Sequence, residues 1–146
     1  MPVSDRVLGL LGLMRRARAL EAGENNSGAA VKAGKAKLLL LASDASDNAR
    51  RRAETFVYGH STVLVRLPHT KEELSSSLGV GECAMAAVTD MGFANALMKA
   101  LEAESPGCYS AEAAETERRF QKAERRKRET AAQENNKRNG KKGGLT

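Results

Sequence analysis

The run "AKLLLLA" (residues 36–42) constrains the chain more than any other stretch. Four consecutive leucines between a lysine and a Ser-Asp pair are too few for a buried helix, and they leave no polar face. They read as a strand covered by protein on both sides. Such a strand is central in a sheet with helices above and below it, which points to a layered α/β fold.

The flanking segments supply those helices. Ser4 or Asp5 can cap a first helix whose Val7, Leu8, Leu10, Leu11 and Met14 recur at helical spacing. After the "ALEAGENN" turn, Asn25 or Asn26 can cap a short second helix, rich in Ala and Lys, that stops near Gly34. A helix over "SDASDNARRRAETF" follows the leucine run, with Ser46 or Asp47 as its cap. "STVLVRL" (61–67) reads as a strand, and "HTKEELSSSLG" (69–79) as a helix with Thr70 and Glu73 at capping-box spacing. "CAMAAVTD" (83–90) is a third strand and "MGFANALMKALEA" (91–103) a closing helix; a short extra strand fits at residues 19–22. This alternation predicts a three-layer α/β domain with right-handed crossovers.

A chain of 146 residues suits one such domain plus an extension. Its character changes at Ser105-Pro106-Gly107. Residues 1–105 hold 13 Lys+Arg against 12 Asp+Glu, whereas residues 106–146 hold 11 against 6, so nearly all of the net charge of +6 lies in the tail. We therefore divide the chain into a domain over 1–104 and a basic helical or disordered tail over 105–146. Glu115 with Arg119, and Glu124 with Arg128, support a solvated helix there; Phe120 stands alone, and the last twelve residues read as disordered. The tail is either an RNA-binding arm or a solvated extension.

A basic excess favours nucleic acid, ribosome or anionic membrane as partner. The apolar residues 7–14 are too few to span a bilayer and follow Asp5 rather than a basic cluster, so neither membrane insertion nor secretion is expected. With only Cys83 and Cys108, and His60 and His69 far apart, no disulfide framework or metal-ligand spacing is present, and a reducing cytoplasmic setting is expected. His60 and His69 read as loop-surface residues and Cys83 as a small core residue. "GVGECA" (79–84) spells a dinucleotide fingerprint but follows a helix and precedes a strand, the reverse of what phosphate binding needs. No catalytic residue, cofactor, metal or small-molecule substrate is expected.

The aromatic residues, Phe56, Tyr58, Phe93, Tyr109 and Phe120, form no cluster on which bases could stack. RNA recognition would therefore rest on shape, phosphates and a few base edges. "GENNSGAAVK" (23–32) is suited to that: glycine admits a close backbone, open amides at a helix start favour phosphate, and asparagine offers both a donor and an acceptor. An ordinary asparagine cap is the local alternative.

"LGLMRRARALEAGENN", "GKAKLLLLASDASDNARRR", "TKEELSSSLG" and "AAVTDMGFANAL", in that order over residues 4 to about 101, resemble the kink-turn RNA-binding ribosomal-protein superfamily of the L-seven-Ae / L-thirty-e type, in its bacterial YlxQ-like branch. The resemblance implies a three-layer α-β-α sandwich with a small mixed four-stranded sheet. It also implies RNA binding, and we expect a non-catalytic, monomeric protein that binds kink-turn or other structured, ribosomal RNA. The contacts would come from a G-x-N-E-x-x-K segment opening the second helix and from the loop before the last strand. Gly23 and Asn25 match that segment; Asn26 stands where glutamate is usual and Ala29 where lysine is usual, with Lys32 or Lys35 the nearest replacement. In the second region Leu74 and Gly79 match, Ser75 replaces a common glycine, and Val80, Gly81 and Glu82 occupy the loop. A carboxylate at Glu82 opposes nearby phosphates. The expected RNA-binding set is Gly23, Asn25, Asn26, Lys32, Lys35, Lys37, Gly79, Val80 and Gly81. A protein-interaction module that keeps the fold and has lost the RNA surface is the alternative.

Overall fold

The structure is a computed structural model that describes residues 5–143; for residues 138–143 it describes the backbone alone. The elements run α1 (Arg6–Arg16), β1 (Leu20–Ala22), α2 (Glu24–Lys32), β2 (Leu38–Leu41), α3 (Asp47–Val57), β3 (Val63–Arg66), α4 (Lys71–Leu78), β4 (Met85–Val88), α5 (Met91–Glu104) and α6 (Ser110–Gly143).

The sheet order is β1-β4-β2-β3, so the leucine strand β2 is central. Its side chains alternate between two cores. Leu38 and Leu40 join Val7, Leu11, Met14, Leu74, Leu97 and Leu101 of α1, α4 and α5, whereas Leu39 and Leu41 join Ala30, Val31 and Ala53 of α2 and α3. All four leucines are buried, and each contributes roughly 1.5–3 kcal/mol by leaving water. The result is the three-layer α-β-α sandwich.

Strand direction departs from the simple alternation. β2 pairs parallel with β3, but β4 lies antiparallel to both β2 and β1. Only β2-α3-β3 is therefore a parallel crossover, and the sheet is mixed. "MAAV" is buried on both faces, and a strand apolar on both faces carries no mark of its direction.

Most helix starts follow their side chains. Asp5 caps α1, accepting from the Leu8 amide at 3.1 Å; Ser46 caps α3, Thr70 and Glu73 form the capping box of α4, and Asp90 caps α5. Ser4, the other candidate for α1, lies outside the described residues. α2 corrects the expectation of an asparagine cap: its cap is Gly23 (φ 93, ψ 159), with no capping side chain. Gly23 takes that left-handed backbone at no steric cost, and the helix begins before either asparagine.

His69 also differs from its reading as a surface residue. It is 5% exposed, and its Nε2 meets the Asp5 carboxylate at 2.5 Å, tying the start of α1 to the β3-α4 loop. Loop position alone does not reveal that another helix start covers the ring.

α6 is helical through residue 143, so residues 135–143 are not the disordered segment expected from composition; residues 144–146 lie outside the described part. Ala, Glu, Gln, Lys and Arg are strong helix formers, and closely spaced ion pairs add to them. The first turns dock on β3 and α5: Tyr109, just before α6, is buried and its hydroxyl donates to the Arg66 carbonyl of β3 at 2.6 Å, Thr116 is buried, and Lys99 of α5 pairs with Glu117 at 3.7 Å. From 125 to 137 every side chain is exposed.

Candidate nucleic-acid interface

The start of α2 is built from backbone. The Gly23 amide donates to the Met85 carbonyl at 2.9 Å, which seats the helix mouth at the first residue of β4. Three amides at a helix start have no partner within the helix, here those of Glu24, Asn25 and Asn26. Both asparagine side chains are exposed, and Asn26 Nδ2 donates back to the Ala22 carbonyl at 3.0 Å. That bond holds the Asn26 amide while its oxygen stays open; Asn25 is unengaged among the described hydrogen bonds.

α3 supports this mouth from one side. Arg52 pairs with Glu24 at 3.1 Å, balancing the one carboxylate in the first turn. Arg51, held by the Asn48 side chain at 3.1 Å, joins Glu24, Ser46 and Arg52 around a shallow depression of about 470 Å³. α2 and α3 approach closely at Gly28, where an added Cβ would lie 2.6 Å from the Phe56 ring. A side chain there would displace the aromatic ring that joins the two helices.

The α4-β4 loop lies at the same end of the sheet, because it leads into Met85. Gly79 closes α4 (φ 68, ψ 33), and Val80 is half-buried between exposed Gly79 and Gly81. Ser75 staples this loop: its hydroxyl accepts from the Cys83 amide at 2.8 Å, and its carbonyl accepts from the Val80 amide at 3.1 Å. The serine that replaces a family glycine therefore has a structural task. Ser75→Ala leaves the buried Cys83 amide unpaired and is expected to cost roughly 1–3 kcal/mol, read from the urea midpoint. Glu82 is turned to Lys71 at 3.5 Å, and with Asp44 and Glu72 it gives this side of the loop an acidic rim.

The structure separates the expected RNA-binding residues into two groups. Gly23, Asn25, Asn26, Gly79, Val80 and Gly81 lie at the Met85 end of β4. Lys37 lies at the other end, where its amide donates to the Val88 carbonyl at 2.7 Å, and Lys32 and Lys35 follow α2 toward that end. Lys32 lies seven residues after Asn25 on α2, about 10 Å along the helix, so it stands two turns from the helix mouth. Lys35 is the intermediate case. It lines, with Arg18, Glu21, Asn26 and Ala29, a depression of about 450 Å³ along the exposed flank of α2, where two cations meet one carboxylate. Arg18 thus shares a depression with Ala29, the position where the resemblance implies lysine. Sequence spacing missed it because Arg18 precedes β1 and reaches this flank only in three dimensions. It also holds a left-handed backbone (φ 60), which is uncommon for a residue other than glycine.

On α6, Glu115 takes hydrogen bonds from Arg118 at 2.7 Å and Arg119 at 2.8 Å. The bond from Arg118, then that from Arg119, holds its carboxyl down at about 2, against 4.5 for a free glutamate. A depressed carboxyl stabilises the folded state at pH above the unfolded value, and that contribution is lost as pH falls through the folded one. The contribution of the Glu115 cluster to α6 is therefore expected to hold from pH 7 to about 4.5 and to be lost toward about 2. An NMR titration of Glu115 should find the low midpoint, and Arg118→Ala should raise it.

No known family model matches the chain. The solved structure of a protein of unknown function from Bacillus halodurans superposes with a TM-score of 0.62 at 28% identity, over 68% of this chain and 99% of that one. A 15.5 kD RNA-binding protein of Giardia lamblia shares the fold, with a TM-score of 0.50 at 20% identity over 66% of this chain and 82% of its own. The RNA-binding protein YlxQ of Bacillus subtilis is 36% identical over 93 residues, which are 64% of this chain and 92% of that protein. At that identity, and with nine-tenths of that relative matched, the chain belongs to the YlxQ family.

Proposed function

We propose that this protein binds structured RNA without chemistry of its own, reading a kinked RNA such as a kink-turn at the Met85 end of the sheet. The observation that carries the reading is the meeting there of two exposed asparagines, an open helix mouth and the Ser75-held loop, in a relative of a protein named as RNA-binding. The domain over residues 1–104 would hold this surface, and a cytoplasmic monomer on ribosomal or other structured RNA is the setting we infer.

In this reading Gly23 lets the backbone approach, and the amides of residues 24–26 position a phosphate. Asn25 and the free oxygen of Asn26 meet purine edges, and Val80 with Gly79 and Gly81 packs on the unstacked bases. Arg18 and Lys35 supply along the α2 flank the charge that Ala29 lacks. Lys32 and Lys37 belong to phosphates farther along the RNA.

Binding of a kink-turn RNA and of a straight duplex, measured in parallel salt titrations, tests the proposal. Preference for the kink-turn RNA at matched salt is expected. Equal binding would sink it and leave the protein-interaction module, for which the acidic rim of Asp44, Glu72 and Glu82 is the supporting feature.

A further inference from the structure

A second basic surface forms at the other end of the sheet. Lys37, in the turn between α2 and β2, faces Arg118, Arg119, Lys122 and Arg126 of α6 across an open groove of about 360 Å³. Five cations meet one carboxylate there, Glu115, for a net of +4. Asp90, next in sequence to the groove residue Met91, has its carboxylate on the Phe93 amide at 2.8 Å. The ion pairs among the described residues leave Lys37, Lys122 and Arg126 without a carboxylate.

The arrangement is unfavourable for a helix that serves only as a solvated extension. The residues three and four positions to either side of Lys122 are Arg118, Arg119, Arg125 and Arg126, and like charges at these spacings repel. Polyanion binding relieves that repulsion and releases counterions. Docking through Tyr109 and Lys99 holds this stretch of α6 against the domain, so the charges present a shaped site. The YlxQ of Bacillus subtilis, 92% of which is matched by 93 residues, is shorter than this chain by roughly a third.

We propose that this groove is a second RNA site, which grips backbone phosphodiesters without reading sequence. It rests on the RNA-binding reading of the chain but not on kink recognition at the asparagines. The groove adds affinity and salt dependence, and the opposite end of the sheet adds selectivity.

The full chain carrying Lys122→Gln and Arg126→Gln tests it, with a labelled straight RNA duplex and a kink-turn RNA as probes and helicity as the folding check. The slope of log affinity against log salt should fall by roughly 2, about 0.9 for each phosphate no longer neutralised, and affinity should drop by the same factor for both RNAs. A control with the same charge change on the far side of α6, Lys127→Gln with Arg128→Gln, should shift the slope less. Glu115→Gln, which frees Arg118 and Arg119, should steepen it. An unchanged slope in the groove variant overturns the proposal. Equal loss in the control overturns it too, since tail charge alone would then suffice. Displacement of the duplex by inorganic phosphate at matched ionic strength would assign the groove to free phosphate instead. Binding to phosphatidylserine vesicles that the groove variant loses, with RNA binding intact, would assign it to membrane. Failure here and failure of kink recognition are distinguishable: the first is read on the duplex slope, the second on the ratio between the two RNAs.

Discussion

Tyr109→Ala is expected to lower stability by on the order of 3 kcal/mol and to flatten the salt dependence of RNA binding in the same protein. Tyr109 is 8% exposed, belongs to the core shared by α1, α4 and α5, and fixes the start of α6 through the Arg66 carbonyl at 2.6 Å. Truncation removes both the buried ring and that hydrogen bond. The other anchors of α6 lie along α5: buried Thr116, partly buried Ala113 and Phe120, the Ser110 hydroxyl on the Glu102 carboxylate at 3.3 Å and the exposed pair of Lys99 and Glu117. The Lys99 pair is exposed and contributes at most about 1 kcal/mol, and Tyr109 is the anchor that ties α6 to β3, so its loss loosens the seat of the helix and lets Arg118, Arg119, Lys122 and Arg126 shift from their position opposite Lys37. Denaturant unfolding gives the first effect, and a salt titration on duplex RNA gives the second. Tyr109→Phe keeps the ring and should cost only about 1 kcal/mol with the salt slope preserved. If Tyr109→Ala leaves both unchanged, α6 is not held in the way described.

Asn25→Ala is expected to reduce affinity for a kink-turn RNA by roughly 1–3 kcal/mol, about 5- to 150-fold, while leaving a straight duplex and the salt slope nearly untouched. Asn25 is exposed and has no described hydrogen bond of its own, so the change disturbs nothing in the folded state and the unfolding midpoint should not move. Arg18→Gln is the useful contrast. Removing a phosphate partner weakens all RNAs alike and lowers the salt slope by about 1. If Asn25→Ala weakens kink-turn and duplex equally, the asparagine does not read base edges. Asn26→Ala should have the smaller effect, because its amide already donates to Ala22.

The elements themselves were legible residue by residue. The leucine run announced a strand with two covered faces, and Leu38 and Leu40 do point to one core while Leu39 and Leu41 point to the other. Capping at Asp5, at Ser46 and at Thr70 with Glu73 follows from local hydrogen bonding, which needs only three or four consecutive residues. Local rules failed where a distant group intervened. Gly23 rather than an asparagine opens α2 because its amide is drawn to Met85 in β4. His69 is buried because Asp5, 64 positions away in the chain, closes over it.

The sequence by itself determined the layers, the strands and the family, because periodicity, caps and burial of apolar side chains are set by neighbouring residues. Only the tertiary structure decided which charged and polar groups share a surface. The register of β4 carries Gly23 to Met85 and Lys37 to Val88, so two members of the expected RNA-binding set come to opposite ends of the sheet. Docking of α6 then carries Arg118, Arg119, Lys122 and Arg126 to Lys37. The reason is that strand direction and helix docking are settled by groups far apart in the chain, to which the local pattern of apolar and polar residues is indifferent.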